Sequence, residues 1–185
     1  NKQIQLNFKK DLPKKFFLFI GNFRYYKGLD IALDAVKGTS LNLVLVGIGQ
    51  DKNKIIKRVR DEKISNVIFI DSVSEEQKIA LLDLAYAFIF PSYLRSEAFG
   101  ISLLEAAVMG KPLISCEIGT GTSYINKNGL TGLVIEPKDK NSLKKAMNFL
   151  SSNKLIAKQM GKEAKKRALD LFSENKTINE YRKIY

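Results

Sequence analysis

The chain has 185 residues, of which 45% are hydrophobic, enough for one domain of ordinary size with a proper core. With no histidine and a single cysteine, it lacks the commonest general base and the usual zinc ligands, and it cannot close an intrachain disulfide. Its net charge of +12 sits at the ends: residues 1–27 carry seven Lys/Arg and one Asp, residues 154–185 nine against four, and residues 28–153 fifteen against fourteen. This excess reads either as solvated lysine-rich surface or as an attraction to anionic lipid or phosphate-bearing substrates. The lysines are spread along helices with no nucleic-acid motif beside them, so no nucleic-acid partner is expected. No apolar run reaches bilayer length, and the first fifteen residues are polar and basic, so neither a membrane span nor a signal peptide is expected. The lone Cys116 fits a reducing cytoplasm.

Residues 1–15 have little periodicity and read as a linker or the tail of something upstream. Phe16 to Ile20 is a continuous apolar run, as in a strand buried on both faces of a parallel sheet, and Gly21 ends it. After the loop Asn22 to Gly28, the apolar positions Leu29, Ile31, Ala32, Leu33, Ala35 and Val36 predict a helix ended by Gly38. A second strand, Leu43 to Val46, leads to Gly47-Ile48-Gly49, and Asp51 can cap a helix over 52–62. A third strand, Val67 to Ile70, is followed by the loop Asp71 to Val73 and a helix opening on Ser74, three residues before Gln77, in a capping-box pattern.

The fourth strand, Ala87 to Phe90, meets the breaker Pro91, and the chain then enters an almost wholly apolar helix from Ile101 to Met109, closed by Gly110. Pro112 to Ser115 is a fifth strand, the Gly/Thr-rich loop 119–123 follows, and Gly132 to Ile135 is a sixth. Asp139 or Asn141 caps a helix to Leu150, and two further helices are expected over 154–171 and 174–184. Strands alternating with helices predict an α/β fold: a doubly wound, parallel, six-stranded Rossmann-like sheet with helices on both faces. Ligands of such sheets bind beyond the C-terminal ends of the strands. The glycine-rich and charged loops 21–28, 47–51, 71–74, 91–100 and 116–123 all fall there. Gly47-Ile48-Gly49 lacks the third glycine of the dinucleotide fingerprint, which argues against a nicotinamide cofactor.

Two carboxylates, Glu97 and Glu105, bracket the fourth strand-to-helix turn with seven residues between them. A helix N-terminus offers free N–H groups to an anion, and carboxylates accept hydrogen bonds from sugar hydroxyls. The turn thus reads as a place where phosphate and sugar are held together. Each residue also has a plainer reading. Glu105 fits an exposed strip on a buried helix, Glu97 a charge that favours the helix dipole, Arg24 and Lys27 a solvated loop, and Tyr25 and Tyr26 simple packing. The 119–123 loop reads equally as a surface turn or as a source of backbone contacts to ligand.

The spacing Glu97-x7-Glu105 resembles the signature of family 4 glycosyltransferases. The similarity continues through Arg24-Tyr25-Tyr26-Lys27-Gly28-Leu29-Asp30, Leu45-Val46-Gly47-Ile48-Gly49, Glu97-Ala98-Phe99-Gly100, Ala106 to Pro112 and Thr131-Gly132-Leu133-Val134, in order over about residues 16–150. It implies the C-terminal, donor-binding half of a GT-B fold. Arg24 to Gly28 and Ile118 to Tyr124 look most like mannosyltransferases of bacterial O-antigen and exopolysaccharide assembly.

The resemblance implies roles. Glu105 binds the ribose hydroxyls, and Glu97 contacts the transferred sugar. Lys27 with Arg24 binds the diphosphate, close to Gly21 and Asn22. The N–H groups of Phe99, Gly100 and Ile101 hold phosphate and sugar, and Ile70 and Val73 lie against the base. It also implies a nucleotide sugar as substrate, GDP-mannose foremost, with retention of configuration and neither cofactor nor metal. The implied partners are an acceptor-binding N-terminal domain, linked through 1–15 and approached again by a C-terminal helix over 172–185, and a lipid-diphosphate or saccharide acceptor. The site would then work in the cytoplasm at the anionic inner membrane face, and a fragment without the acceptor half would transfer little. Asn22 stands where an arginine is usual and Tyr124 where a glutamate is common. The alternatives are a non-catalytic nucleotide-sugar module and a sugar-nucleotide epimerase of the same fold.

Overall fold

The computed structural model describes residues 2–172. Six parallel strands, β1 (Phe17–Ile20), β2 (Leu43–Val46), β3 (Val67–Ile70), β4 (Ala87–Phe90), β5 (Leu113–Cys116) and β6 (Gly132–Ile135), form one sheet in the order 3-2-1-4-5-6. Among the described residues eight α-helices accompany them: α1 (Lys2–Asp11), α2 (Leu29–Val36), α3 (Lys52–Asp61), α4 (Glu75–Leu84), α5 (Ile101–Val108), α6 (Gly121–Ile125), α7 (Lys140–Ser152) and α8 (Lys154–Phe172). The expected doubly wound sheet is present, and each strand begins within one residue of its expected start.

The continuous apolar runs make sense once both faces are covered. Phe17, Phe19, Leu43, Leu45 and Ile89 pack on one face with residues of α2 and α7. Phe16, Leu18, Val44, Val46, Phe88 and Phe90 pack on the other with residues of α4, α5 and α8. Alternate residues of a strand serve opposite layers, so the internal strands are apolar almost throughout; the buried exception, Ser115 of β5, accepts from Asn126 Nδ2 at 2.9 Å. Truncating a buried phenylalanine such as Phe19 to alanine costs about 3–5 kcal/mol. The edge strand β3 is only half-buried along its length.

Local signals fix several helix ends. Ser74 Oγ accepts from the Gln77 N–H (3.2 Å) while Gln77 Oε1 accepts from the Ser74 N–H (2.9 Å), completing the capping box. Gly38 and Gly110, expected helix stops, have positive φ of 67° and 71°. Asp139, not Asn141, caps α7, its Oδ1 accepting from the N–H groups of Asn141 (2.8 Å) and Ser142 (3.1 Å). Asp51 precedes α3 without a side-chain cap bond.

Three regions differ from the sequence reading. Residues 2–11, read as aperiodic, are helical, because Phe8 and Leu12 pack against the α4 layer and Gln5 Nε2 donates to Asp83 Oδ2 at 2.8 Å. Two apolar anchors are too few to make a visible period. Residues 121–125 of the Gly/Thr-rich stretch form the short helix α6. The α5 helix, read as buried all round, leaves Ile101 71% exposed and Val108 exposed along a groove shared with α4. The helix expected over 174–184, and with it most of the segment 172–185, lies outside the described residues. No helix among the described residues is long and apolar enough to cross a membrane.

Candidate active site

The order 3-2-1-4-5-6 reverses direction between β1 and β4, and the crevice beyond their C-terminal ends is the natural ligand position of such a sheet. The loops after these two strands are locked together there. Gly28 has φ 69°, and a Cβ on it would lie 2.2 Å from the Pro91 carbonyl oxygen. The Tyr93 N–H donates to the Tyr26 carbonyl at 2.9 Å. Only glycine tolerates both the left-handed backbone and the close approach.

That contact sets Lys27, from the β1 loop, against Glu97, from the β4 loop. Their side chains form an ion pair in which each is 12% exposed. Glu97 Oε2 also accepts from the Ser92 hydroxyl at 3.1 Å, and Ser92 is buried. The Lys27 ammonium lies over the rings of Phe90 (5.1 Å) and Tyr26 (5.4 Å). One cation, one carboxylate and one hydroxyl therefore converge on the crevice.

Glu105 lies at the start of the second turn of α5. Its Oε1 accepts from Lys78 Nζ at 2.7 Å, and Lys78 also pairs with Glu75 at 2.7 Å. Burial pulls the Lys78 pKa down, but the bonds to Glu105 and Glu75 outweigh it and the ammonium is held above its ordinary range. Glu105 lines a groove of about 370 Å³ with Ile79, Leu82, Ile101, Leu104 and Val108. Between the two carboxylates, Gly100 (φ 89°) caps α5 with no side-chain bond. The N–H groups of Phe99, Gly100 and Ile101 donate to no described residue. They are the free donors that a helix start leaves. Ile70 and Val73 are half-buried at the end of β3 and in the loop after it.

The remaining site candidates lie on neighbouring loops. Arg24 Nη1 donates to Gln50 Oε1 at 3.1 Å and lines a separate cavity of about 100 Å³ with Tyr25, Asp30, Asp51, Lys54 and Tyr93. Lys27 and Glu97 do not line that cavity, so Arg24 is not drawn into their pair. The Gly21 N–H donates to the Val46 carbonyl at 3.0 Å, and Asn22 is exposed. Gly47 and Gly49, with φ of 143° and 148°, bring the β2 loop onto the β1 loop. Their Cβ positions would fall 2.0 Å from the Gly21 carbonyl oxygen and 2.2 Å from Asn22 Oδ1. These glycines serve loop packing. Gly121 does the same for the 119–123 stretch. Its N–H donates to the Ala98 carbonyl at 2.9 Å, and a Cβ there would lie 2.7 Å from Phe99 Cδ2.

Glu117 steadies that stretch by accepting from the Ser123 hydroxyl (2.6 Å) and the Gly119 N–H (2.9 Å), bonds that hold its carboxyl below the ordinary range. Burial pushes the Cys116 thiol up to about 12, so it stays protonated and inert near neutrality. Among the described residues no cluster of His, Cys, Asp or Glu could hold a metal ion. Ser92 and Lys78 were not foreseen. Ser92 had the weak signal of a small polar residue just after a buried strand, whereas no spacing ties Lys78 to Glu105.

Residues 2–167 match the family model for glycosyl transferases group 1. The chain is 48% identical over 167 residues to the D-rhamnosyltransferase WbpZ of Pseudomonas aeruginosa, covering 90% of this chain and 44% of that protein. It is 42% identical over 179 residues to the O-antigen chain mannosyltransferase C of Escherichia coli, covering 97% and 48%. The chain thus spans about half the length of the curated relatives it matches. Among solved structures, Anabaena HepE in complex with UDP and glucose superposes with a TM-score of 0.85 at 16% identity, over 100% of this chain and 53% of that one. The sheet order, the matched family model and these relatives lead to one assignment: the chain belongs to the group 1 glycosyl transferases and has the Rossmann-like C-terminal domain of their GT-B fold.

Proposed function

We propose that the chain is the donor-binding half of a hexosyltransferase. It takes a nucleoside-diphosphate sugar, GDP-mannose first among candidates, and the hexose passes with retention of configuration to a lipid-linked or saccharide acceptor of bacterial surface polysaccharide. The observation that carries this reading is the convergence of Lys27, Ser92 and Glu97 on the crevice between β1 and β4. The relatives support the sugar class, being named for mannosyl and rhamnosyl transfer.

In this reading the Lys27–Glu97 pair is the donor-free arrangement. When a diphosphate enters, the Lys27 ammonium turns to it and the Glu97 carboxylate is freed for hydroxyls of the sugar. As the bond between the anomeric carbon and the phosphate oxygen breaks, negative charge grows on the diphosphate. Lys27 and the N–H groups of Phe99, Gly100 and Ile101 stabilise that charge more than they stabilise the ground state. Glu105, steadied by Lys78, accepts from the ribose hydroxyls. Ile70 and Val73 give the base an apolar wall, Gly21 and Asn22 border the phosphates, and Arg24 adds positive charge at the rim. The reaction needs no cofactor or metal. An N-terminal acceptor domain closes the cleft from the other side, and the reaction runs on the cytoplasmic face of the inner membrane.

Calorimetry with GDP-mannose and with UDP-, ADP- and dTDP-sugars tests the reading. The expected outcome is one site with GDP-mannose bound most tightly, and little or no transfer by this chain alone. A preference for a rhamnosyl donor would move the sugar assignment only, whereas no binding by any nucleotide sugar would end the proposal.

A further inference from the structure

The lysine excess at the two ends of the sequence is folded into one place. Lys14, which follows α1, lines a cavity of about 440 Å³ with Lys111 of the α5–β5 turn and with Lys154, Lys158, Lys162 and Lys165 of α8. Ala85, Tyr86 and Pro112, which lead into β4 and β5, line it too. The cavity therefore lies where these strands begin, at the opposite edge of the sheet from Lys27, Glu97 and Glu105.

Its construction differs from an ordinary lysine-rich surface. The four α8 lysines recur at helical spacing and fall on one face, where like charges repel and weaken the helix. Among the described residues none of the six cavity lysines forms an ion pair. The neighbouring carboxylate, Asp83, accepts from Gln5, and only its backbone carbonyl accepts from Lys111 Nζ, at 2.7 Å. Burial pulls the Lys111 pKa down, with Asp83 opposing it. Lys15 donates to the carbonyl and hydroxyl of Ser151 (2.7 and 2.8 Å) and lies over the Tyr86 ring. Its pKa is pulled down by burial and then by Lys154. The concavity itself is built by glycine. A Cβ on Gly161 would lie 2.2 Å from the Gly110 carbonyl oxygen, so α8 crosses the α5–β5 turn in direct contact, and its lysines line the same cavity as Lys111. Five of the six lysines are exposed and Lys111 is half-buried, yet all six line the same hollow.

We propose that this cavity is a binding site for a phosphate group carrying more than one negative charge, separate from the donor site. Ammonium groups act as mobile point charges for phosphate, and several of them lining one hollow are relieved of mutual repulsion when an anion enters. A soluble polyphosphate and the headgroup of an anionic phospholipid share that chemistry.

The test is calorimetry with inorganic tripolyphosphate and flotation with phosphatidylglycerol vesicles. It compares the unmodified chain with Lys158→Glu/Lys162→Glu, with a control of equal charge change, Lys127→Glu/Lys145→Glu, and with the donor-site variant Lys27→Ala. The expected result is saturable tripolyphosphate binding with a component that the cavity variant weakens about tenfold or more and that the control and Lys27→Ala both retain. Vesicle binding lost in the cavity variant alone identifies a lipid headgroup as the source. Tripolyphosphate binding without vesicle binding identifies a soluble anion. Absence of saturable binding, equal loss in the cavity variant and the control, or loss of all binding in Lys27→Ala overturns the proposal. Thermal melting checks that each variant folds, with Lys158→Gln/Lys162→Gln in reserve. Donor binding is expected to be unchanged in the cavity variant, so this test and that of the donor site fail independently.

Discussion

The two edges of the sheet treat lysine in opposite ways. Beyond the C-terminal ends of the strands, Lys27 is matched to Glu97, Lys78 to Glu105 and Lys52 to Asp71. At the N-terminal edge six lysines share a hollow with no carboxylate partner among the described residues. A matched lysine is held in a defined place and can exchange its carboxylate for an incoming phosphate, which frees the carboxylate for other work. An unmatched cluster attracts anions strongly but positions them loosely. The first arrangement suits a reaction, and the second suits attachment or sensing.

The largest effect that would break this contrast is at Lys27. In a full-length enzyme Lys27→Ala is expected to lower kcat/KM about 10²–10³-fold, the scale of losing one group that stabilises charge in the transition state. Steady-state kinetics that retained most of the activity would remove Lys27 from the reaction. Next comes the lock that brings the two loops together. Gly28→Val puts a branched side chain at positive φ against the Pro91 carbonyl and is expected to destabilise the domain by about 2–3 kcal/mol, read by urea unfolding.

A smaller effect is expected at Lys78, which acts through Glu105. Lys78→Met should weaken nucleotide binding about tenfold, or about 1.4 kcal/mol, with kcat at saturating donor little changed and Lys78→Arg restoring affinity. A fall in kcat instead would assign Lys78 to the chemistry. The smallest is Ser74→Ala, which removes the α4 capping box. It should cost about 1 kcal/mol in thermal unfolding and leave nucleotide affinity unchanged.

Much of this molecule was legible in its sequence because its signals are local. The apolar runs Phe16 to Ile20 and Leu43 to Val46, the Ser74–Gln77 box and the helix stops at Gly38 and Gly110 each depend on a few neighbouring residues. The pairing of Glu97 with Lys27 was legible only as a shared edge, since it is made by Gly28 meeting Pro91 across 63 positions of chain. Lys78 and Ser92 were not legible, because their partners are set by packing between separate loops and helices. Helix α1 carries no local signal because Phe8 and Leu12 gain their meaning only from the α4 layer that they cover. The charge at the two ends was visible, but that it meets in one cavity depends on Gly161 lying against Gly110.

The central claim is that the edge carrying Lys27, Glu97 and Glu105 holds a nucleotide sugar. Calorimetric titration of GDP-mannose into the unmodified chain and into Glu105→Gln tests it most directly. The expected result is one site, weakened about tenfold or more in the variant by loss of a charged hydrogen-bond acceptor. Equal affinity in the two proteins would contradict the claim.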